Sequence, residues 1–154
     1  MKPIGVVQSA PAVRGLLDGG TVLWVPATKD PSCTRIFWVE NETTFPNGKY
    51  TGWVKDCGAP FLIPIKPPVQ SGDVVWIKET WCEIPWEDGM GKRSTRVLYR
   101  AIEPELFDRT VGDKWRSPVT MPHWASRFER IVTAIGMERR DGMWQWRIET
   151  EITP

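Results

Sequence analysis

The chain has 154 residues, of which 41% are hydrophobic and 25% charged, with a formal net charge of +1. These are the proportions of an ordinary globular protein, and the length predicts a single domain over 1–154 with a core of its own. Near-neutrality excludes a global pull toward nucleic acid or acidic lipid, so any electrostatic footprint must be local. Three cysteines, Cys33, Cys57 and Cys82, form no C-x-x-C pair and have one histidine to join them. A disulfide framework and a metal site are both unsupported, which fits a reducing cytoplasm. No apolar run approaches the length of a membrane span, and the start "MKPIGVVQSAPAVRGLL" has no long apolar h-region. A cytoplasmic protein without cofactor, metal or membrane contact is expected.

In chain order, "QSAPAVRGLLDGG" predicts a short helix. Ser9 is its N-cap, Pro11 is tolerated in the first turn, Val13, Leu16 and Leu17 form an apolar stripe, and Gly19 and Gly20 stop it. The text then turns to β. "TVLWVPA", "TRIFWVE", "APFLIPI", "DVVWIKETW", "TRVLYRA", "RIVTAIGM" and "MWQWRIETEI" are rich in Val, Ile, Thr and aromatics and are bounded by Gly, Pro, Asn and Asp. Asn-Gly in "TFPNGKY" predicts a turn, and Asp-Gly in "RRDGMW" a tight hairpin between the last two strands. In the last strand Trp144, Trp146 and Ile148 alternate with Gln145, Arg147 and Glu149, one apolar face and one wet. "IPIKPPVQSGD" is a rigid connector. The fold class expected is mainly β (α+β), an antiparallel barrel with a short N-terminal helix.

Four stretches, taken together, resemble a known family. "SAPAVRGLLDGG" is similar to an opening S-A-P-M-V-R-A-I-L-x-G helix. "GDVVWIKETW" is similar to G-D-x-L-W-V-R-E-T-W. "YRA" at Tyr99 to Ala101 and "KWRSPVTMPHWASR" are similar to Y-R-A and W-R-P-S-I-H-M-P-R-W-A-S-R. All four occur in phage and prophage ASCH-domain proteins of the PUA-like superfamily. The resemblance covers roughly a third of the chain and implies a PUA-like β-barrel with a cleft against the N-terminal helix, where relatives commonly take RNA or a modified nucleobase. At least one small bacterial relative is an amidohydrolase of acetylated cytidine. Two parts of the family pattern are absent. "GGTVLWVPA" replaces G-x-K-T-x-T-R-R, leaving Lys29, Thr34 and Arg35 downstream at the wrong spacing, and Ile131 stands where T-L-E-V-T relatives carry Glu.

Amide hydrolysis needs an activated water or nucleophile, a tuned base and an oxyanion donor. Glu79 is the candidate catalytic base, with Lys29 or Lys78 as a displaced partner; the alternative is a carboxylate paired with Arg100 or Arg116 to hold the loop. His123, the only histidine, titrates near neutrality but has no evident Ser or Cys partner, which favours a structural or surface role.

Binding needs aromatic planes and donors for base edges and phosphates. Trp81, Tyr99, Trp115 and Trp124 are the expected planes. Arg14, Arg100, Arg116, Ser117, Ser126 and Arg127 are the expected polar contacts, with Lys92, Arg93, Arg96, Arg139 and Arg140 extending a basic patch. Trp115, Met121 and Trp124 are also expected to plug the barrel end. The function expected first is binding of RNA, single-stranded nucleic acid or a modified nucleoside without catalysis. The alternatives are an amidohydrolase of acylated nucleosides and a phage protein that grips a host protein through a Trp-rich patch.

Overall fold

The computed structural model describes residues 2–28, 33, 35–45, 48–56, 63–87, 89–102 and 115–153, with the side chains of 40–45, 48–51 and 86 left aside. Among them the chain is mainly β with one α-helix. Its elements are β1 (Ile4–Val7), α1 (Ala10–Leu17), β2 (Val22–Pro26), β3 (Arg35–Phe45), β4 (Gly48–Asp56), β5 (Ile63–Pro64), β6 (Val74–Lys78), β7 (Trp81–Glu87), β8 (Arg93–Tyr99), β9 (Glu129–Arg140) and β10 (Met143–Ile152). Two 3-10 turns, Pro118–Thr120 and His123–Ala125, precede β9. No helix among the described residues is long and apolar enough to cross a membrane.

The helix forms as its punctuation dictates. Ser9 caps it, its hydroxyl accepting from the Ala12 N–H at 3.3 Å, and Gly19 takes a φ of +92° to leave it. Val13 and Leu16 are buried while Leu17 stays largely exposed, so the apolar stripe is narrower than expected. The β9–β10 hairpin closes through Asp141 (φ 51°) and Gly142 (φ 77°), both left-handed as a tight turn between paired Arg140 and Met143 requires. In β10, Trp146 and Ile148 are buried and Gln145, Arg147 and Glu149 alternate to the wetter face, as expected.

A closed antiparallel barrel is not what the backbone pairing makes. Among the described residues the strands divide into a five-stranded sheet ordered β1-β6-β9-β10-β2, a three-stranded sheet β3-β4-β5 and the pair β7-β8, and β1 runs parallel to β6. The chain also changes sheets inside "DVVWIKETW": β6 ends at Lys78 and β7 begins at Trp81, leaving Glu79 and Thr80 at the junction.

Although β1 and β2 are opposite edges of the five-stranded sheet, one side chain joins them. The Gln8 amide donates to the Trp24 carbonyl at 2.9 Å and to the Val7 carbonyl at 2.7 Å, and its oxygen accepts from the Trp24 N–H at 3.4 Å. Gln8 is only 4% exposed. The sheet has therefore curled until its edges meet across an amide. Inside the curl Val13 and Leu16 of α1 pack with Leu23, Val75, Ile77, Val132, Trp146 and Ile148. The three-stranded sheet joins this core through Trp53, edge-on to Trp146 at 5.6 Å.

Removing the Gln8 amide would leave the Trp24 N–H and carbonyl without these partners, and a stranded buried polar group costs about 1–3 kcal/mol. Gln8→Ala is expected to lower unfolding stability by about 2 kcal/mol in a urea titration, more than Ser9→Ala, which removes one exposed cap worth about 1 kcal/mol.

Candidate functional site

The Pro-rich aromatic segment is built largely by bonds to itself and to the β6–β7 junction. Ser117 caps the first 3-10 turn, accepting from the Val119 N–H at 3.3 Å, and Pro118 follows where no donor is needed. Met121 is buried, and its thioether sulfur lies 3.3 Å from the Glu79 N–H. Ser126 donates to the Ile77 carbonyl at 2.8 Å and accepts from the Phe128 N–H at 3.3 Å. The Tyr99 hydroxyl donates to the Ala125 carbonyl at 2.7 Å. Arg14, on the helix, donates to the Ala101 carbonyl at 3.1 Å. Ser117, Ser126, Tyr99 and Arg14 are thus engaged in holding the segment and its surroundings.

Glu79 is 1% exposed and takes a two-pronged bond from Arg127, Nε to Oε2 at 3.0 Å and a terminal nitrogen to Oε1 at 2.8 Å. The partner is neither Arg100 nor Arg116, the two expected. Arg127 also lies over the Tyr99 ring at 4.2 Å. The carboxylate sits where the chain crosses from one sheet to another, and both its oxygens accept from one guanidinium. Such a pair fixes the junction, and breaking it from one side costs about 3–5 kcal/mol.

Burial raises the Tyr99 pKa above the ordinary phenol value of 10.0, and Glu79 adds to the rise while Arg127 opposes it. Folding therefore strengthens this proton's hold. The stabilisation is whole below about pH 10 and is lost as pH climbs from the unfolded-state value through the higher folded one.

The remaining aromatic residues sort by exposure. Trp81 is buried with Trp76, Met121 and Ala125, so its faces are closed to a ligand. Trp115 is half-buried. Trp124, expected as a plug, is 67% exposed and stands edge-on to Trp81 at 6.4 Å. Arg116 exchanges backbone hydrogen bonds with Trp81, lies 5.0 Å over its ring and comes within 3.7 Å of Glu83. His123 stacks on Trp76 at 4.9 Å and meets Glu129 at 3.1 Å. Arg93, Arg96 and Arg100 are exposed on or just after β8. Lys29, Thr34 and Cys57 lie outside the described residues, and among the described residues no His, Cys, Asp and Glu gather into a metal-holding group.

One cleft is lined by residues that, Arg140 apart, are not among the expected contacts. About 520 Å³ in volume, it opens at the start of α1 between Val7, Pro11 and Ala12 on one side and Trp24, Arg140 and Gln145 on the other. Leu23 is buried in the core, so Trp24 alternates to the opposite face of β2, where the register sets it across from Arg147 of β10. An indole on the polar face of a sheet lacks the usual packing reason. Arg140 lies over it, guanidinium carbon 4.0 Å from the ring centre. The sequence carried this signal in the alternation Leu23, Trp24, Val25, which a search for lysine and threonine at those places passes over.

Val7 connects the cleft to the aromatic segment, since it pairs with Lys78 in the β1–β6 ladder. Gly5 makes that connection possible: a Cβ there would come within 2.5 Å of Lys78 and 2.8 Å of the Trp76 ring, so only glycine lets both side chains lie over β1. Lys78 stands 5.1 Å over Trp76 and donates to the Val119 carbonyl at 3.4 Å. Arg140 over Trp24 and Lys78 over Trp76 are two cation–ring pairs, the second on a buried indole that His123 covers.

Comparison of the chain with protein-family models, with curated proteins and with solved structures gave no match.

Two measurements check the reading of the junction. Glu79→Gln is expected to lose about 3 kcal/mol of stability by urea titration. Tyr99→Phe is expected to flatten the decline in stability above about pH 10 relative to the parent, followed by circular dichroism; an unchanged slope would separate that decline from Tyr99.

Proposed function

We propose that the chain is an ASCH-related, PUA-like domain of phage or prophage origin that binds RNA, single-stranded nucleic acid or a modified nucleoside without catalysis. The observation that carries this reading is Trp24, set on the polar face of the curled sheet, in a cleft beside α1 and beneath Arg140. A flat indole with a guanidinium already over it offers what a base needs: a stacking plane, a mobile cation that can move to a phosphate, and Gln145 and Asp141 at the cleft wall for base edges. The four motif segments add the resemblance, and the position of the cleft against the N-terminal helix is where that resemblance expects a ligand.

Trp124 and Arg116, exposed outside the cleft, support an extended ligand over a lone nucleoside. Glu79 argues for binding without chemistry, because its oxygens are held by Arg127 inside the protein.

Binding of a fluorescent single-stranded RNA oligonucleotide, followed by anisotropy, tests the reading. Trp24→Ala is expected to weaken it about tenfold or more, the size of one lost base stack. Arg116→Ala and Trp115→Ala are expected to weaken it while the fold persists, and Arg116→Ala to reduce the salt slope by about one. Undiminished binding by Trp24→Ala and Arg140→Ala together would remove the cleft from the site. Turnover of acetylated cytidine that Glu79→Gln abolishes would replace binding with hydrolysis.

A further inference from the structure

A second cleft, also about 520 Å³, opens at the other end of α1, where Leu16, Leu17 and Thr21 face Phe128, Arg130 and Ile152. Its electrostatics turn on Arg130. This residue is 5% exposed, and its Nε is buried with no hydrogen-bond partner. Among the described residues the guanidinium forms no hydrogen bond or ion pair, and its carbon stands 5.9 Å from the centre of the Phe128 ring. Burial accordingly lowers its pKa.

Arg127, Glu129 and Glu151 also line the cleft. Arg127 is neutralised by Glu79. Glu129 precedes Arg130 on β9, and Glu151 pairs with Ile131, so both alternate to the face of the sheet opposite Arg130, and Glu129 meets His123 there. Among the described residues no hydrogen bond or ion pair meets Arg130, and Leu16, Leu17, Phe128 and Ile152 give the cleft apolar wall beside it. Leu17 and Ile152 at its mouth are exposed, giving apolar surface that nothing among the described residues covers.

We infer that this cleft binds a small apolar monocarboxylate, its carboxylate received by Arg130 and its hydrocarbon body by Leu16, Leu17, Phe128 and Ile152. A guanidinium presents paired donors that match the two oxygens of a carboxylate. The apolar walls select a ligand with a body, and the volume lies within the range of small-molecule sites. The Thr21 side chain at the rim adds a hydroxyl. This site shares no residue with the Trp24 cleft and stands or falls independently of nucleic-acid binding.

The test is calorimetric titration of the intact protein with phenylacetate, phenylacetamide, acetate and dimethyl phosphate, alongside Arg130→Gln and Trp24→Ala variants shown to be folded by circular dichroism. Phenylacetate is expected to bind the parent and Trp24→Ala equally. The amide, which lacks the charge, and acetate, which lacks the body, are each expected to bind about tenfold more weakly or not at all. Arg130→Gln is expected to lose phenylacetate by a similar factor, and Arg130→Lys, keeping the charge without the paired donors, to recover part of it. Equal binding by Arg130→Gln, or tighter binding of dimethyl phosphate than of phenylacetate, would overturn the assignment. So would no binding of any carboxylate.

Discussion

The amide of Gln8 is the constraint on which the rest of the molecule depends. A five-stranded sheet with the order β1-β6-β9-β10-β2 would ordinarily leave two open edges, each a row of unpaired N–H and carbonyl groups. Here the edges meet, but through a side chain that copies a peptide unit: it gives one hydrogen to the Trp24 carbonyl and takes one from the Trp24 N–H. A full backbone ladder would have sealed the seam along its length. A single amide closes it at one point, just ahead of α1, and the space beside that point is the Trp24 cleft. The same closure encloses Val13, Leu16 and the apolar faces of β2, β6, β9 and β10 in one core.

The second constraint is the crossing at Glu79 and Thr80, where the chain leaves the five-stranded sheet for the β7–β8 pair. A bend in the middle of an apolar run must satisfy its polar groups, and the Pro-rich segment supplies them. Ser126 covers the Ile77 carbonyl, Met121 meets the Glu79 N–H, Arg127 holds the Glu79 carboxylate, and Arg116 pairs with the Trp81 backbone. This answers why so many polar and aromatic side chains gather in a segment that its prolines bar from regular structure. The buried and half-buried ones fasten one strand crossing, while Arg116, Ser117, Val119, Thr120, His123 and Trp124 are exposed.

How far the sequence revealed this follows from which signals are local. The helix was legible because a cap, an apolar spacing and two glycines all lie within thirteen letters, and the last hairpin because Asp141-Gly142 specifies its own turn. β1 was missed: four residues, paired in parallel with a strand seventy positions away, carry no local signature. β4 was missed because only the turn before it was strongly marked. The run "DVVWIKETW" hid its bend, since the tertiary partners that allow it, Arg127 and Met121, are more than forty residues distant. For the site, residue type pointed to the right segment but not to the right side chains. A serine that closes a turn and one that meets a base are the same letter, and burial alone separates Trp81 from Trp124.

Arg127 and Arg130, three residues apart, bring the two kinds of buried charge side by side. Each guanidinium has been drawn from water at a cost of several kcal/mol. For Arg127 the cost is offset within the chain by a carboxylate at 2.8 Å. For Arg130 no described residue offsets it, and a leucine or methionine of similar volume in that place would pack against Phe128 and Val132 without the penalty. A fold optimised for stability alone has no use for such a group. A buried guanidinium that lines a cleft and has no partner among the described residues has the character of a recognition element, and the two arginines divide the work: one holds the strand crossing in place, and the other faces what enters from outside.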